Sequence, residues 1–202
     1  MTTFYRVCRA ICLFWLRLSG FHVYGKENVP PDRSLVIVAN HSSLTDPIIL
    51  ACAFPYQIFF MAKDEFRQNS FMRWLLLKLG AFFVKRGEAD LAAIRSAVQV
   101  LQKDRALGIF PEGHRNLKPE LDEFKQGPLF IAYRAHVRIL PVAIVNAKHF
   151  MRFWKRNKRV IIGRPMEILS PKAEGGKSLA EYNDELKQIV AELWEKGNNI
   201  QD

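Results

Sequence analysis

Short apolar runs rich in β-branched residues, each followed by a longer helix-forming stretch, constrain the fold of this 202-residue chain most strongly. The run Leu35–Ala39 (LVIVA) has the length and composition of a buried strand. Alternation of such runs with helical stretches predicts an α/β fold, with a single, mostly parallel central sheet flanked by helices.

The predicted elements begin with an N-terminal amphipathic helix, followed by a connector that contains Gly20, Gly25 and Pro30-Pro31. The last helix opens with a capping-box pattern at Ser178 and is predicted to end before Gly197. The predicted strands are Leu35–Ala39, Gln57–Met61, Ala81–Lys85, Ala106–Phe110, Arg138–Val145 and Val160–Gly163. The predicted helices after the first are Pro47–Ala53, Ser70–Leu79, Ala89–Lys103, Pro128–Ala135 and Ser178–Lys196.

Length and composition predict one globular domain with a basic surface. The chain is 49% hydrophobic and 25% charged, which excludes a disordered polymer. Its formal net charge of +10 favours anionic partners: nucleic acid, anionic lipid or phosphorylated substrates. The cysteines Cys8, Cys12 and Cys52 have neither metal-ligand spacing nor a paired framework, which indicates a reducing, cytosolic setting.

The N-terminal stretch Phe4–Leu18 is apolar except for Arg6, Arg9 and Arg17. On a helix these arginines fall within an arc of about 80°, and the helix would be only about 22 Å long, too short for a hydrocarbon core of about 30 Å. We expect residues 1–20 to lie in a membrane interface with the arginines toward the head groups, and residues 21–202 to form the remaining domain. The alternative is a core-packing helix with one solvated stripe.

The segment Asn40–Asp46 (NHSSLTD) directly follows the strand predicted over Leu35–Ala39. A histidine at a strand end is suited to accept a proton near neutral pH, and a carboxylate can orient its ring. His41 and Asp46 are five residues apart, so they can pair only if the chain bends between them. The alternative is that Asp46 caps a helix beginning at Pro47 and that His41 is an ordinary loop histidine.

Three further blocks lie at or within predicted strands. Gly80–Arg86 (GAFFVKR) ends in two cations, and Phe110–Arg115 (FPEGHR) combines a tight turn with an arginine suited to phosphate. The third block, Leu140–Ala143 (LPVA), is a strand interrupted by proline. Taken one at a time, the arginines could be solvated cations and Pro141 an edge-strand proline.

In this order the blocks resemble those of the glycerolipid acyltransferases, the family typified by 1-acyl-glycerol-3-phosphate acyltransferases. The family's HX4D block matches His41 and Asp46, and its G-x-x-F-x-x-R block matches Gly80, Phe83 and Arg86. Its FPEGTR block matches residues 110–115, except that His114 replaces the usual threonine. A K-x-G segment matches Lys125 and Gly127, and the proline-centred fourth block matches Pro141.

The resemblance implies an enzyme of phospholipid biosynthesis that transfers an acyl group from acyl-CoA or acyl-acyl carrier protein to 1-acyl-glycerol 3-phosphate, forming phosphatidic acid. It implies His41 and Asp46 as the catalytic pair, with no cofactor besides the thioester substrate. The residue types of His41, Asp46, Glu112 and His114 could bind a metal, but they lack tight ligand spacing, so we expect none. The implied phosphate-binding residues are Arg86, Glu112, Gly113 and Arg115, and the implied neighbours of the substrate site are Asn40, Ser43, His114, Lys125, Gly127 and Pro141.

Other functions remain open beside this one. The acceptor could be glycerol 3-phosphate, another lysophospholipid or a lyso-aminolipid, and a non-catalytic basic lipid-binding module is the alternative outside the enzymes. No G-x-S-x-G motif is present, so we expect no covalent acyl-enzyme.

The segment from Lys148 to Arg159 (KHFMRFWKRNKR) holds six basic residues, three aromatics and no acid. Such a composition suits single-stranded nucleic acid, an anionic membrane or an acidic carrier protein. Beside an apolar N-terminal helix it favours the membrane over nucleic acid. We therefore expect a peripheral, monotopic protein on the cytoplasmic face of the cell membrane.

Overall fold

The computed structural model describes residues 1–84, 91–118, 120–147 and 157–200. Within these ranges the strands are β1 (Phe21–Tyr24), β2 (Leu35–Ala39), β3 (Ile58–Lys63), β4 (Ala81–Val84), β5 (Ala106–Ile109), β6 (Arg138–Val145) and β7 (Lys158–Ile162). The helices are α1 (Thr3–Leu18), α2 (Asp46–Ala53), α3 (Ser70–Lys78), α4 (Leu91–Leu101), α5 (Gly127–Ala135) and α6 (Leu179–Asn199).

The strands form one sheet in the order β1-β7-β6-β2-β5-β3-β4. Every neighbouring pair is parallel except β6 and β7, which run antiparallel. This mixed, mostly parallel sheet with helices on both faces confirms the predicted fold class. The fully buried strand β2 lies between β5 and β6, so the loop after β2 emerges in the middle of the sheet.

Each face of the sheet has its own core, and β2 shows how the sequence divides between them. Leu35, Ile37 and Ala39 point to the face covered by α1 and α2, whereas Val36 and Val38 point to the face covered by α4, α5 and α6. Side chains alternate between faces along a strand, so an uninterrupted apolar run supplies both cores. The rigid sheet between these cores holds the loops at its edge.

Strand β1 lies in the stretch that the sequence analysis treats as a connector. It pairs in parallel with β7 at the edge of the sheet. Four residues bounded by Gly20 and Gly25 carry too little periodicity to reveal a strand. Gly25 has a left-handed φ of 76°, and a Cβ there would clash with the carbonyl oxygen of Ile162, so this glycine allows close backbone approach after the strand.

Helix α6 continues through Gly197 to Asn199, so its predicted end before Gly197 is wrong. A Cβ at Gly197 would lie 2.7 Å from Cγ2 of Val145 and 2.9 Å from Cγ1 of Ile161. The glycine is therefore required by contact between α6 and the sheet, and it does not terminate the helix. The predicted start is confirmed: Ser178 and Glu181 form both hydrogen bonds of a capping box.

Helix α1 is amphipathic and carries the arginines on which the sequence analysis depends, but one of these arginines faces the protein. The Arg9 guanidinium donates hydrogen bonds to the carbonyl oxygens of Ala51, Cys52 and Phe54 at distances of 2.7–3.1 Å. A cation satisfies the free carbonyls and complements the negative end of α2. Among the described residues, no helix is long and apolar enough to cross a membrane.

Two cations of the basic aromatic segment belong to the interior of the domain. Residues 148–156 lie outside the described residues, but Lys158 and Arg159 begin β7 and are buried. The Lys158 Nζ lies 3.5 Å from the carbonyl oxygen of Ser19, and Nη1 of Arg159 donates to the carbonyl oxygen of Gly197 at 3.0 Å. Burial lowers the pKa of Lys158. The prediction that these two residues belong to a surface segment is therefore wrong, because α1 and α6 cover them.

Candidate active site

The structure brings together the side chains of His41 and Asp46 at the carboxyl end of β2. Nδ1 of His41 lies 2.8 Å from Oδ2 of Asp46. The Asp46 side chain is fully buried, whereas 15% of the His41 side chain is exposed. With Nδ1–H donating to the carboxylate, Nε2 is left as the acceptor of the neutral imidazole.

The loop between the two residues folds around the Asp46 carboxylate. The backbone N–H groups of Ser42 and Ser43 donate to Oδ2 of Asp46 at 2.6 and 2.7 Å. Together with the histidine, these donors compensate Oδ2 of a carboxylate removed from water, whereas Oδ1 has no hydrogen-bond partner among the described residues. Helix α2 begins at Asp46 itself, so its positive end adds to the stabilisation of the charge. The Asp46 carboxylate accepts hydrogen bonds from the preceding loop, and Asp46 is the first residue of α2. It is therefore not the residue that caps a helix beginning at Pro47, as in the alternative interpretation.

The backbone of His41 is held from the neighbouring strand β5. Its N–H donates to Oε1 of Glu112 at 2.8 Å, and its carbonyl oxygen accepts from the N–H of Asn116 at 2.7 Å. The Glu112 side chain is buried. The ring of Phe110 stacks on the imidazole, with 4.2 Å between the ring centroids. These contacts fix both the peptide and the ring plane of His41.

On the other side, β6 holds the start of the same loop. The side chain of Asn40 accepts from the N–H of Ile144 at 2.7 Å and donates to its carbonyl oxygen at 3.0 Å. Oγ1 of Thr45 donates to the carbonyl oxygen of Ala147 at 3.1 Å. The buried Asn40 amide therefore extends the pairing of β2 with β6 by one residue beyond the strand.

A tight turn follows β5 and carries three of the residues matched to the phosphate-binding block. Gly113 has a left-handed φ of 74°, and a Cβ there would lie 3.0 Å from Nζ of Lys125. The N–H of Lys125 donates to the carbonyl oxygen of Pro111, which ties the K-x-G segment to the turn. Arg115 is exposed, and its side chain makes no hydrogen bond or ion pair with any described residue. Arg86 lies outside the described residues.

His114, the departure from the family pattern, lies in this turn. Its Nε2 is 3.1 Å from Oδ2 of Asp122, and both side chains are exposed. The pKa of Asp122 is lowered by the N–H of Glu123, with a smaller contribution from His114. A second histidine–carboxylate pair therefore lies beside Arg115 at the protein surface.

The last two matched residues are Gly127, at the start of a helix, and Pro141, within the sheet. Gly127 is exposed and is the first residue of α5. Pro141 is buried in β6, in register with Val38, and accepts from the N–H of Gly163 at 2.9 Å. Because β6 lies between β2 and β7, Pro141 is not the edge-strand proline of the alternative interpretation. Its position brings the fourth block next to the strand that carries the His41 loop.

Sequence reasoning missed the residues that hold His41 in position, chiefly Phe110, Asn116 and Thr45. Phe110 opens one of the matched blocks, but its role depends on β5 lying beside β2, with Ile109 in register with Val38. No spacing in the sequence reveals that neighbour. Among the described residues, no three His, Cys, Asp or Glu side chains form a group that could hold a metal ion.

Comparison with known proteins identifies the family. Residues 20–145 match the family model described as Acyltransferase. The 1-acyl-sn-glycerol-3-phosphate acyltransferase of Bacillus subtilis is 33% identical over 181 residues, which are 88% of this chain and 90% of that protein. The protein of the same name from Borreliella burgdorferi is 33% identical over 147 residues, 72% of this chain and 58% of that protein.

A solved structure agrees with this family. The crystal structure of PlsC, the 1-acyl-sn-glycerophosphate (LPA) acyltransferase from Thermotoga maritima, is similar with a TM-score of 0.74 and 26% sequence identity. The similarity covers 98% of this chain and 83% of that chain. Because the family model matches residues 20–145, more than half of this chain, the chain belongs to the Acyltransferase family.

Proposed function

We propose that this chain transfers an acyl group from a thioester, acyl-CoA or acyl-acyl carrier protein, to the free hydroxyl of 1-acyl-glycerol 3-phosphate, with His41 as the general base. The observation that carries the mechanism is the hydrogen bond of 2.8 Å between a partly exposed His41 and a buried Asp46. The relatives named above supply the acceptor, since two are 1-acyl-sn-glycerol-3-phosphate acyltransferases.

In this mechanism the proton follows a short path. Nε2 of His41 removes the hydroxyl proton while the oxygen attacks the thioester carbonyl. Asp46 keeps the ring in the correct tautomer and stabilises the imidazolium that forms. As the carbon–sulfur bond breaks, the imidazolium returns the proton to the leaving thiolate. The products are phosphatidic acid and the free thiol of the carrier.

Arginine supplies the recognition of the acceptor phosphate. Arg115 and Arg86 are assigned to the phosphate because a guanidinium can donate two parallel hydrogen bonds to it. Support comes from Arg115, which is exposed and adjoins Asn116, a backbone partner of His41. Gly113 and Lys125 form the turn beside it. We assign Glu112 a positioning role, because its buried carboxylate binds the His41 N–H and would repel a phosphate.

A membrane-facing surface accompanies the site in this proposal, with the protein attached peripherally. Its support is an exposed apolar face that continues from α1 to α3, joined where the rings of Phe4 and Trp74 lie 5.3 Å apart. Exposed apolar surface of this extent favours a lipid or protein partner. The exposed apolar residues are Val7, Ile11, Phe14, Trp15 and Leu18 on α1 and Phe71, Trp74 and Leu77 on α3.

The His41→Ala variant tests the mechanism. Loss of general-base assistance is expected to lower kcat by about 10²–10⁴-fold with lysophosphatidate and acyl-CoA or acyl-carrier-protein donors. His22→Ala removes an exposed histidine on β1 and is the matched control, with activity unchanged. Activity of His41→Ala within tenfold of the wild type would eliminate the proposed base. The same assay with glycerol 3-phosphate and other lysolipids tests the acceptor, for which lysophosphatidate is expected to give the highest kcat/KM.

A further inference from the structure

A groove lies at the end of α2 opposite the His41–Asp46 pair. It has a volume of about 330 Å³ and is enclosed by α1, β1, the turn that follows β1, and the last residues of α2. Asp46 is the first residue of α2 and Ala53, which lines the groove, is the last. At 1.5 Å per residue these positions are about 10 Å apart along the helix. A molecule in the groove therefore does not occupy the position of the reacting hydroxyl.

The charged lining of the groove is entirely cationic among the described residues. It consists of Arg9, Arg17 and Lys26, and no acidic side chain lines it. Arg9 is held in place by its hydrogen bonds to the carbonyl groups at the end of α2. Arg17 and Lys26 are exposed, and their side chains make no hydrogen bond or ion pair with described residues. Two cations therefore remain available to an anion at the rim.

The remainder of the lining is mostly apolar and includes Leu13, Phe21 and Val29. A site for a small hydrated anion such as free phosphate gains nothing from such a wall. An amphiphile does, because its phosphate meets the cations while its hydrocarbon covers the apolar side chains. The composition therefore selects a ligand that carries both an anionic and an apolar part.

The groove is next to the surface that we propose to face the membrane. Phe14 and Leu18, both exposed on the apolar face of α1, lie three residues before and one residue after Arg17. Phe14, three residues before Arg17, adjoins it on the helix surface, whereas Leu18 is rotated from it by about 100°. A cation at the border of an apolar face meets lipid head groups when that face enters the interface.

We propose that this groove binds one anionic phospholipid of the membrane, with its phosphate at Arg17 and Lys26 and the start of an acyl chain against Leu13, Phe21 and Val29. The proposal rests on the membrane attachment proposed above. It adds a second lipid site, separate from the acceptor site at His41, which would make attachment selective for anionic membranes.

Vesicle sedimentation tests the charge requirement. The double variant Arg17→Glu/Lys26→Glu is expected to lose at least about tenfold in affinity for phosphatidylcholine vesicles containing phosphatidylglycerol, and little for phosphatidylcholine alone. Lys103→Glu/Lys172→Glu makes the same change of net charge at exposed positions outside the groove and is expected to lose less than about threefold. Equal losses by the two double variants would overturn the proposal, since general surface charge would then explain the selectivity.

Photo-crosslinking tests the site itself. An anionic phospholipid with a photoreactive group close to its head is placed in the vesicles, and labelled residues are identified by mass spectrometry. Labels on Leu13, Phe21 or Val29, retained in His41→Ala, are expected. Labels confined to other surfaces would overturn the proposal that this groove binds lipid.

A further variant distinguishes failure of the groove proposal from failure of the membrane-attachment proposal. Phe14→Ser/Trp15→Ser alters the apolar face outside the groove, so it should release the protein from both kinds of vesicle. If it does so while Arg17→Glu/Lys26→Glu binds normally, the groove is wrong and the attachment stands. If it binds normally, the proposed attachment itself is wrong, and with it the groove.

Discussion

At the residue scale, His41 depends on contacts to its backbone as much as on Asp46. Glu112 accepts the His41 N–H, Asn116 donates to the His41 carbonyl oxygen, and Phe110 stacks on the ring. All three partners come from the loop that follows β5. A general base that must meet a hydroxyl with correct geometry is sensitive to displacements of about 1 Å, so we expect these contacts to matter for the proposed mechanism as well as for stability.

Glu112 allows a sharp prediction about this positioning. Glu112→Ala removes the acceptor of the His41 N–H and is expected to lower kcat by about tenfold or more, while KM for lysophosphatidate changes little. Glu112→Gln keeps an acceptor oxygen and should recover most of the loss. Steady-state kinetics with varied lysophosphatidate checks both variants. A rise in KM with unchanged kcat would instead assign Glu112 to the phosphate.

At the scale of single elements, packing between α6 and the sheet explains why a glycine lies within the last turns of the helix. Gly197 lies against Val145 and Ile161, and its carbonyl oxygen accepts from the buried Arg159. Glycine normally lowers helix stability, but here it permits an approach that any side chain would block. The helix therefore passes through a residue that, by sequence alone, indicates its end.

Substitution of Gly197 by alanine tests this interpretation. Helix propensity alone would stabilise the variant by about 1 kcal/mol, but the added Cβ overpacks two β-branched side chains, which typically costs about 1–3 kcal/mol. We expect a net loss in the free energy of unfolding, measured by denaturant titration. Lys196→Ala, at the exposed neighbouring position, should change it by less than about 0.5 kcal/mol. A Gly197→Ala protein as stable as the wild type would show that the contact is loose.

At the scale of the whole molecule, the apolar surface of α1 and α3 distinguishes one side of the protein. The same side carries the groove beside Arg17, so charge and apolar area meet along α1. Helix α1 also contributes buried residues, Tyr5 and Leu16, to the domain. The core-packing interpretation of the N-terminal helix therefore holds for one of its faces, and we propose that another face contacts lipid.

A vesicle experiment tests the apolar surface on α3 independently of α1. Phe71→Ser/Trp74→Ser is expected to weaken sedimentation with lipid vesicles by about tenfold or more, because two large side chains no longer enter the interface. Leu91→Ser, an exposed apolar position on α4 at the opposite face of the sheet, is the control and should bind as the wild type does. Undiminished sedimentation of the α3 variant would restrict the contact surface to α1.

Much of the fold and part of the candidate site can be predicted from the sequence. The runs that form β2 and β6 have the predicted bounds, because apolar runs rich in β-branched residues indicate strands buried on both faces. The pairing of His41 with Asp46 also follows locally, since the loop between them needs only its own backbone N–H groups to bend. Strand β1 could not be recognised, because its four residues form a strand only in register with β7.

The sequence by itself determined the alternation of elements, the strand-end position of His41 and the residues of the family blocks. These depend on interactions between residues close in the chain, which local patterns record. Only the tertiary structure decided that Glu112 binds the His41 backbone, that Lys158 and Arg159 are buried, and that Gly197 lies inside a helix. Each of these depends on which strand or helix lies next to which, and that order brings together residues far apart in the sequence.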